Sequence, residues 1–191
     1  PDLLGTGETG PGSFKGDAVI LGVSNNMWFT SVITGKSIAG IRTADIIRLR
    51  MLLSKDEGVE EIYGFAKKEM TPVLLYAAAF DQKISRIALI EPYSSYRSIV
   101  MNRFYHAGFV HNLVAGALTE YDLPDLASTL APRKLMMAGT TDCNGETGKE
   151  NIEIDLSVIK NSYKAENAGN QLIIMQDPSE DHYDILLDWM K

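Results

Sequence analysis

The sequence predicts an α/β fold with a mainly parallel sheet and helices on both faces. Four short apolar runs recur along the 191 residues, and segments with helical spacing separate them. Short, continuous apolar strands that alternate with helices are typical of a parallel sheet covered on both faces. The length suffices for a substantial buried core. We therefore expect a single domain over residues 1–191.

The apolar runs and the segments between them give the predicted elements. The strands are expected at Val59–Phe65, Ile84–Ile90, Lys134–Ala138 and Gln171–Met175, with a fifth near the N-terminus. The helices are expected at Ile38–Leu53, Thr71–Phe80, Tyr93–Tyr105, Phe109–Thr119, Glu150–Ala168 and Tyr183–Met190. These helices are predicted mainly from apolar residues at helical spacing, and Pro72 suits the first turn of its helix.

Charge and hydropathy argue against two kinds of partner. The net charge is -7, and basic residues do not cluster apart from the pair Lys67-Lys68. A nucleic-acid-binding protein would need a basic surface, so we expect no nucleic acid partner. No run of about 18 apolar residues is present, so we expect no membrane span.

The chain carries little information on its compartment. Its single cysteine, Cys143, excludes an internal disulfide but leaves localisation open, with secretion or a periplasmic location as one alternative. The chain starts at Pro1 rather than at methionine, so we expect that residues precede it or that a leader has been removed.

The segment from Gly5 to Gly10 has the spacing G-x-G-x-x-G of a dinucleotide-binding loop. That loop requires a strand before it and a helix after it, so that backbone amides face the pyrophosphate. Only four residues precede Gly5, and Pro11-Gly12 follows. A glycine-rich turn is therefore the favoured interpretation, and no cofactor is expected.

Three segments at the ends of predicted strands have the order of a hydrolase triad. Gly64–Lys68 lies between a strand and a helix, Asp142 follows the third strand, and His182 follows the fourth. A Ser-His-Asp hydrolase on this architecture places nucleophile, acid and histidine in that order. The nucleophile's place is assigned to Ala66, and a methyl group cannot attack a carbonyl.

Each of these residues has another interpretation. Asp142 could be a turn residue, and His182 could be a solvated loop histidine among acidic neighbours. Cys143 could act as a thiol nucleophile, although anionic neighbours would raise its pKa. A metal site is a further alternative without a recognisable zinc spacing. Its ligands would come from Asp142, Glu146, Glu180, Asp181 and His182.

The pair Lys67-Lys68 would ordinarily be solvated. At a turn that precedes a helix, the two ammonium groups could instead meet an anionic group, helped by the positive end of that helix.

Several segments, in this order, resemble bacterial acetyl-xylan-esterase-like α/β-hydrolases. Residues 2–9 are similar to the family's D-x-R-G-x-G-x-S segment, and residues 40–48 to the helix before its nucleophile strand. Residues 71–81 resemble the helix after the nucleophile elbow, and residues 132–135 the entry to the strand that carries the acid. The resemblance extends from Asp2 to Trp189.

The resemblance implies a carbohydrate esterase that deacetylates plant polysaccharides and related esters. Ala66 then occupies the serine's place, Asp142 the acid's and His182 the base's, while the Lys67 amide serves the oxyanion hole. Leu4 stands where the family has arginine. We expect a catalytically impaired or altered hydrolase with an acyl-ester or polysaccharide ligand. The alternatives are a noncatalytic carbohydrate-binding or scaffold protein and a metal- or Cys143-dependent hydrolase.

The resemblance also implies a partial α/β-hydrolase fold, in which the first three strands would lie upstream of Pro1. The strand Val59–Phe65 would then expose an edge of unpaired backbone groups, which is an association hazard. We expect the edge to be covered by a second copy, by a rearranged N-terminus or by upstream residues.

Overall fold

The structure, a computed structural model, describes residues 1–10, 12, 15–20, 23–176, 186–187 and 189. Its first strands are the short β1 (Val19–Ile20) and β2 (Val23–Ser24), which pair antiparallel. Two helices follow, α1 (Asn25–Ile33) and α2 (Ile38–Leu53). Ser24 and Ser37 cap them, because each side chain accepts a hydrogen bond from a first-turn amide.

The rest of the described chain alternates strands and helices, as the sequence predicts. The strands are β3 (Ile62–Lys67), β4 (Ile84–Ile90), β5 (Lys134–Ala138) and β6 (Leu172–Met175). The helices are α3 (Thr71–Phe80), α4 (Tyr96–Val100), α5 (Leu123–Ser128) and α6 (Glu150–Ala165). Short 3₁₀ turns lie at Gly7–Thr9, Lys68–Met70, Ala107–Asn112, Ala117–Thr119 and Gly169–Gln171.

The four strands β3 to β6 form one parallel sheet in the order β3-β4-β5-β6, which confirms the α/β fold class. The predicted fifth strand near the N-terminus does not join this sheet, because β1 and β2 pair only with each other among the described strands. The helix expected at Tyr183–Met190 falls largely outside the described residues. Within this range the structure describes only Leu186, Leu187 and Trp189, and all three are helical.

Both faces of the sheet carry helical residues. One face packs against α3, α5 and α6 in a large apolar core that includes Leu135 and Leu156. On the other face, Leu186 and Trp189 pack against Ala88 and Met136. Successive residues of a strand point to opposite faces, so strands covered in this way are apolar at nearly every position.

A glycine at residue 64 lets the Leu74 side chain of α3 pack directly against β3. A Cβ atom built on Gly64 would lie 2.6 Å from the Leu74 side chain, too close without a shift. Every residue of α3 from Thr71 to Ala78 is buried, and Pro72 lies in its first turn. The strand and the helix that follows it are therefore fixed against each other.

Two predicted helices are mostly wrong. Within Tyr93–Tyr105 the helix covers only Tyr96–Val100, and Phe109–Thr119 contains two 3₁₀ turns instead of a helix. The Asp122 carboxylate binds the amides of Tyr96 and Arg97 at 2.6 and 3.0 Å. These contacts between distant residues satisfy the backbone at the start of α4.

Candidate active site

The candidate site lies at the carboxyl ends of the parallel strands, where ligands bind in open α/β sheets. Backbone hydrogen bonds keep the loops after β4 and β5 together beyond the strand ends. Glu91 N donates to Ala138 O at 2.7 Å, and Thr141 N donates to Pro92 O at 2.9 Å. The predicted loop that contains Asp142 therefore lies at the same rim as the turn after β3.

The strand-to-helix turn lies two residues later than the sequence predicts. Ala66 belongs to β3 and is buried against the α3 face, so the placement of Ala66 on the turn is wrong. The chain turns at Lys68, whose φ is +52°, and a short 3₁₀ turn leads from there into α3. A positive φ is uncommon for a residue other than glycine and marks local strain.

A second strained residue lies next to Lys68. Glu91, the first residue after β4, also has a φ of +52°. Its carboxylate contacts both lysines of the turn, at 3.0 Å from Lys67 Nζ and 3.3 Å from Lys68 Nζ. The anionic group considered for the pair Lys67-Lys68 is thus a side chain of the same protein.

The charges of these lysines act on Glu91. Burial raises the pKa of the Glu91 carboxyl, but the bonds from Lys67 and Lys68 outweigh it, so the pKa lies below its ordinary value of 4.5. Residues with strained backbone conformations cluster at functional sites, so Lys68 and Glu91 are candidate site residues. The sequence raises the pairing of Lys67-Lys68 with an anionic group, but its only signal for Glu91 is the position of that residue directly after a strand.

The Glu91→Gln variant is expected to lose part of the acid dependence of stability. A carboxyl with a lower pKa in the folded state stabilises the fold above its unfolded pKa, and this contribution disappears as the pH falls through the folded pKa. The urea midpoint should therefore fall less steeply below about pH 4.5 in the E91Q variant than in the wild type. The exposed Glu57→Gln serves as control, and parallel curves for E91Q and wild type would contradict the expectation.

Asp142 shapes its own loop. Its Oδ1 atom accepts hydrogen bonds from the amides of Asn144 and Glu146 at 2.8 and 3.0 Å. The Asp142 amide in turn donates to the Glu146 carbonyl at 2.8 Å. These contacts are those of a turn residue, the alternative that the sequence leaves open. His182, the predicted base, lies outside the described residues.

Cys143 is not suited to nucleophilic attack. Its side chain is buried, and Asn102 Nδ2 donates to Sγ at 3.0 Å. Burial raises the pKa of the Cys143 thiol, and the charges of Asp142 and Glu146 raise it further. The thiolate needed for attack is therefore disfavoured near neutral pH.

The metal alternative finds no support in the part of the chain that the structure describes. No group of three histidine, cysteine, aspartate or glutamate side chains lies there in a position to hold a metal ion. Of the five ligands considered, Glu180, Asp181 and His182 lie outside the described residues.

The G-x-G-x-x-G segment is a closed turn. Thr6 N donates to Leu3 O at 2.9 Å, and Glu8 N donates to the Asp2 carboxylate at 2.9 Å. The chain then forms a single 3₁₀ turn, Gly7–Thr9, and the first described α-helix begins only at Asn25. In the described part of the chain, the strand and helix that a dinucleotide site requires do not flank the segment.

One aromatic side chain lines the rim beside these charges. Tyr93 follows Glu91 by two residues and forms a parallel bridge with Thr141. Its ring packs on buried Phe109, with ring centroids 3.9 Å apart. Burial raises the pKa of the Tyr93 hydroxyl, and the charge of Glu69 adds to the effect.

None of the described helices is both long and apolar enough to cross a membrane. A comparison of this chain with protein-family models, curated proteins and solved structures finds no match.

Proposed function

We propose that this chain is an α/β-hydrolase homologue that binds an acyl ester at the rim of its sheet without hydrolysing it efficiently. The ligand would be a plant polysaccharide whose hydroxyl groups carry acetyl esters, the substrate class that the sequence resemblance implies. The observation that carries the proposal is the turn between β3 and α3, where a lysine with a φ of +52° stands in place of a hydroxyl or thiol.

The shape of this turn supports a hydrolase ancestry. In α/β-hydrolases the nucleophile occupies a sharp, strained turn between a strand and a helix, at the carboxyl end of the sheet. Lys68 has that location and that backbone strain. The oxyanion amide in such an elbow belongs to the residue after the nucleophile, which would be Glu69 rather than Lys67.

The chemistry of the turn supports impaired turnover. The Lys68 ammonium, paired with Glu91, has no lone pair with which to attack a carbonyl, and the Ala66 methyl group has none either. Loss of the nucleophile from a hydrolase triad lowers turnover by about a millionfold. Binding can survive this loss, because positive charge and amides at the start of α3 can still attract a carbonyl oxygen.

Binding is tested with a matched pair of ligands. Isothermal titration should show that an acetylated xylo-oligosaccharide binds more tightly than the same oligosaccharide after chemical deacetylation. Equal affinity for both would support the alternative of a carbohydrate-binding protein that ignores the ester. Absence of binding to either would support a scaffold role and contradict the proposal.

Turnover is tested by restoring a serine at two positions. Lys68→Ser places a hydroxyl on the strained turn, whereas Ala66→Ser places it in β3, facing the buried core. With a chromogenic acetyl ester we expect K68S to exceed the wild type by about 100-fold or more, and A66S to show no gain. A gain in A66S alone would instead support Ala66 as the nucleophile's position.

Two controls define the mechanism of any gained activity. Adding His182→Ala to K68S should abolish the gain if His182 is the base. A chelator should leave the gain unchanged. Wild-type turnover that the chelator abolishes would favour the metal-dependent alternative.

A further inference from the structure

Arg42, near the start of α2, is a buried cation that no described carboxylate pairs with. Its side chain is 1% exposed. The Nε atom donates to the Leu4 carbonyl at 2.9 Å, whereas Nη2 is enclosed and has no hydrogen-bond partner. Burial lowers the pKa of Arg42, and no neighbouring negative charge among the described residues offsets the effect. Because a charge is costly to remove from water, a buried cation normally has an anionic partner.

Two more buried polar side chains lie beside Arg42, in the 3₁₀ turn Ala107–Asn112 that packs against α2. His111 is 3% exposed, and its Nε2 atom has no hydrogen-bond partner. Burial lowers the pKa of the His111 imidazole, and the nearby charge of Arg42 lowers it further. The Asn112 side chain is also buried, and although it lies beside the Tyr93 hydroxyl, neither of its polar atoms forms a hydrogen bond of normal geometry. We call Arg42, His111 and Asn112 the buried polar cluster.

The chemistry of this cluster suits an anion with two acceptor oxygens. A guanidinium group only donates hydrogen bonds, and a neutral imidazole and a primary amide each carry at least one N–H donor. The planar guanidinium matches the two oxygens of a carboxylate better than it matches a single-atom anion. A bound carboxylate would also supply the negative charge that Arg42 does not receive from the described residues.

The glycine-rich turn of residues 3–9 covers this cluster. Leu4 provides the carbonyl that Arg42 binds, and Gly5 has a φ of +76°, which glycine adopts without strain. A Cβ atom built on Gly5 would lie 3.7 Å from Arg42 Nη2 and 3.1 Å from Met27 Sδ, so a side chain there would occupy the space beside the guanidinium. The G-x-G-x-x-G spacing thus places a glycine next to a buried cation.

This turn is held together largely by its own contacts. Thr6 N donates to Leu3 O at 2.9 Å, and the Thr9 hydroxyl donates to the Thr6 carbonyl at 2.8 Å. A segment that is stabilised locally can open as a unit while the rest of the protein stays folded. Such opening gives a small molecule access to Nη2, whereas a further segment of protein chain would have to displace the turn permanently.

We propose that the buried polar cluster binds one small carboxylate, with the Arg42 guanidinium as its charge partner and the turn of residues 3–9 as its cover. The N–H groups of His111 and Asn112 complete the set of donors. Acetate is the smallest carboxylate with an apolar end, and it is the probe of the experiments below. The proposal does not depend on ester binding at the rim of the sheet.

Unfolding measurements count the bound carboxylate. Sodium acetate replaces sodium chloride at constant ionic strength, and urea unfolding followed by circular dichroism gives the unfolding constant. A ligand that binds only the folded state lowers this constant in proportion to its concentration once the site is saturated. We therefore expect the unfolding constant of the wild type to fall about tenfold for each tenfold increase in acetate. Equilibrium dialysis of the folded protein at about 1 mM with labelled acetate should give one acetate per chain.

Four variants locate the site. Arg42→Met removes the charge and should abolish the response to acetate, whereas Arg48→Met, the same change at an exposed position of α2, should keep it. His111→Leu removes one donor and should weaken acetate binding by about tenfold. Lys68→Ser alters the candidate site at the rim and should leave acetate binding unchanged, so failure of ester binding there is distinguishable from failure of this proposal.

Three results overturn the proposal. The first is an unfolding constant that stays the same when acetate replaces chloride, which means either that no anion binds or that chloride binds equally well. The second is an Arg42→Met variant that responds to acetate as the wild type does. The third is dialysis without bound acetate in the folded wild type, a measurement that stands even if the Arg42 variant does not fold.

Discussion

Replacing Arg50 with alanine is expected to lower the free energy of unfolding by about 3–5 kcal/mol, because the change leaves a carboxylate buried without its cation. Arg50 on α2 pairs with Asp81, which follows α3, and the side chains are only 12% and 7% exposed. Asp81 also holds the turn into β4, where the Lys83 amide donates to its carboxylate at 3.1 Å. The pair therefore joins α2 to the α3–β4 turn.

A matched control lies on the same helix. Arg48 pairs with Asp45 at 2.9 Å, but its side chain is 72% exposed. Exposed pairs of this kind contribute about 0.5 kcal/mol or less, so Arg48→Ala should leave stability nearly unchanged. Urea unfolding followed by circular dichroism measures both variants. A similar loss in the two variants would show that burial of the Arg50-Asp81 pair has no special effect.

The second large effect is expected at Phe109. This side chain is 1% exposed, and its ring supports Tyr93 at the rim of the sheet. Phe109→Ala should destabilise the protein by about 3–5 kcal/mol, the usual cost of removing a buried phenyl ring. The residues around it, between α4 and α5, have little regular helix to hold them, so the ring is a main anchor of this segment.

Phe104 provides the control for this prediction. It lies in the same segment but is 77% exposed, so Phe104→Ala should change stability by no more than about 0.5 kcal/mol. The same unfolding measurement compares the two variants. If Phe109→Ala and Phe104→Ala differ by less than about 1 kcal/mol, the anchoring role assigned to Phe109 is wrong.

Elements with a strong local pattern are predicted well. Helices α2 and α3 and strands β4 and β5 begin and end at the predicted residues. Each has caps or turn residues at its ends, such as Ser37 before α2 and Gly139 after β5, and an apolar pattern matched to its period. Helix α6 ends three residues before the predicted Ala168, because element boundaries are the part of a fold that sequence patterns predict least well.

The segment between β4 and α5 is predicted poorly because contacts with distant residues determine its conformation. Tyr96 is fixed by Asp122 at its amide and by Asn112 at its hydroxyl, where the hydroxyl donates to the Asn112 carbonyl at 2.7 Å. Gly116, with a φ of +77°, starts a new turn. Helical spacing alone cannot reveal contacts of this kind, and tertiary packing overrides propensity.

The candidate site is only partly predictable for the same reason. Strand order identifies the rim, and Asp142 and Glu91 are found there because each follows a strand. The sequence cannot show that β3 continues to Lys67 and that the strained turn is at Lys68 instead of Ala66. That shift follows from the register of β3 with β4, in which Lys67 pairs with Ile90.

The sequence by itself determined a parallel sheet with helices on both faces, because burial of a strand on both sides leaves a local, readable run of apolar residues. It also determined the absence of a serine, threonine or cysteine at the turn after β3. The tertiary structure alone decided that Lys68 and Glu91 are strained and paired, and that β3 forms an edge among the described strands. These features depend on how segments that are far apart in the sequence pack together, and no local pattern of residues encodes that packing.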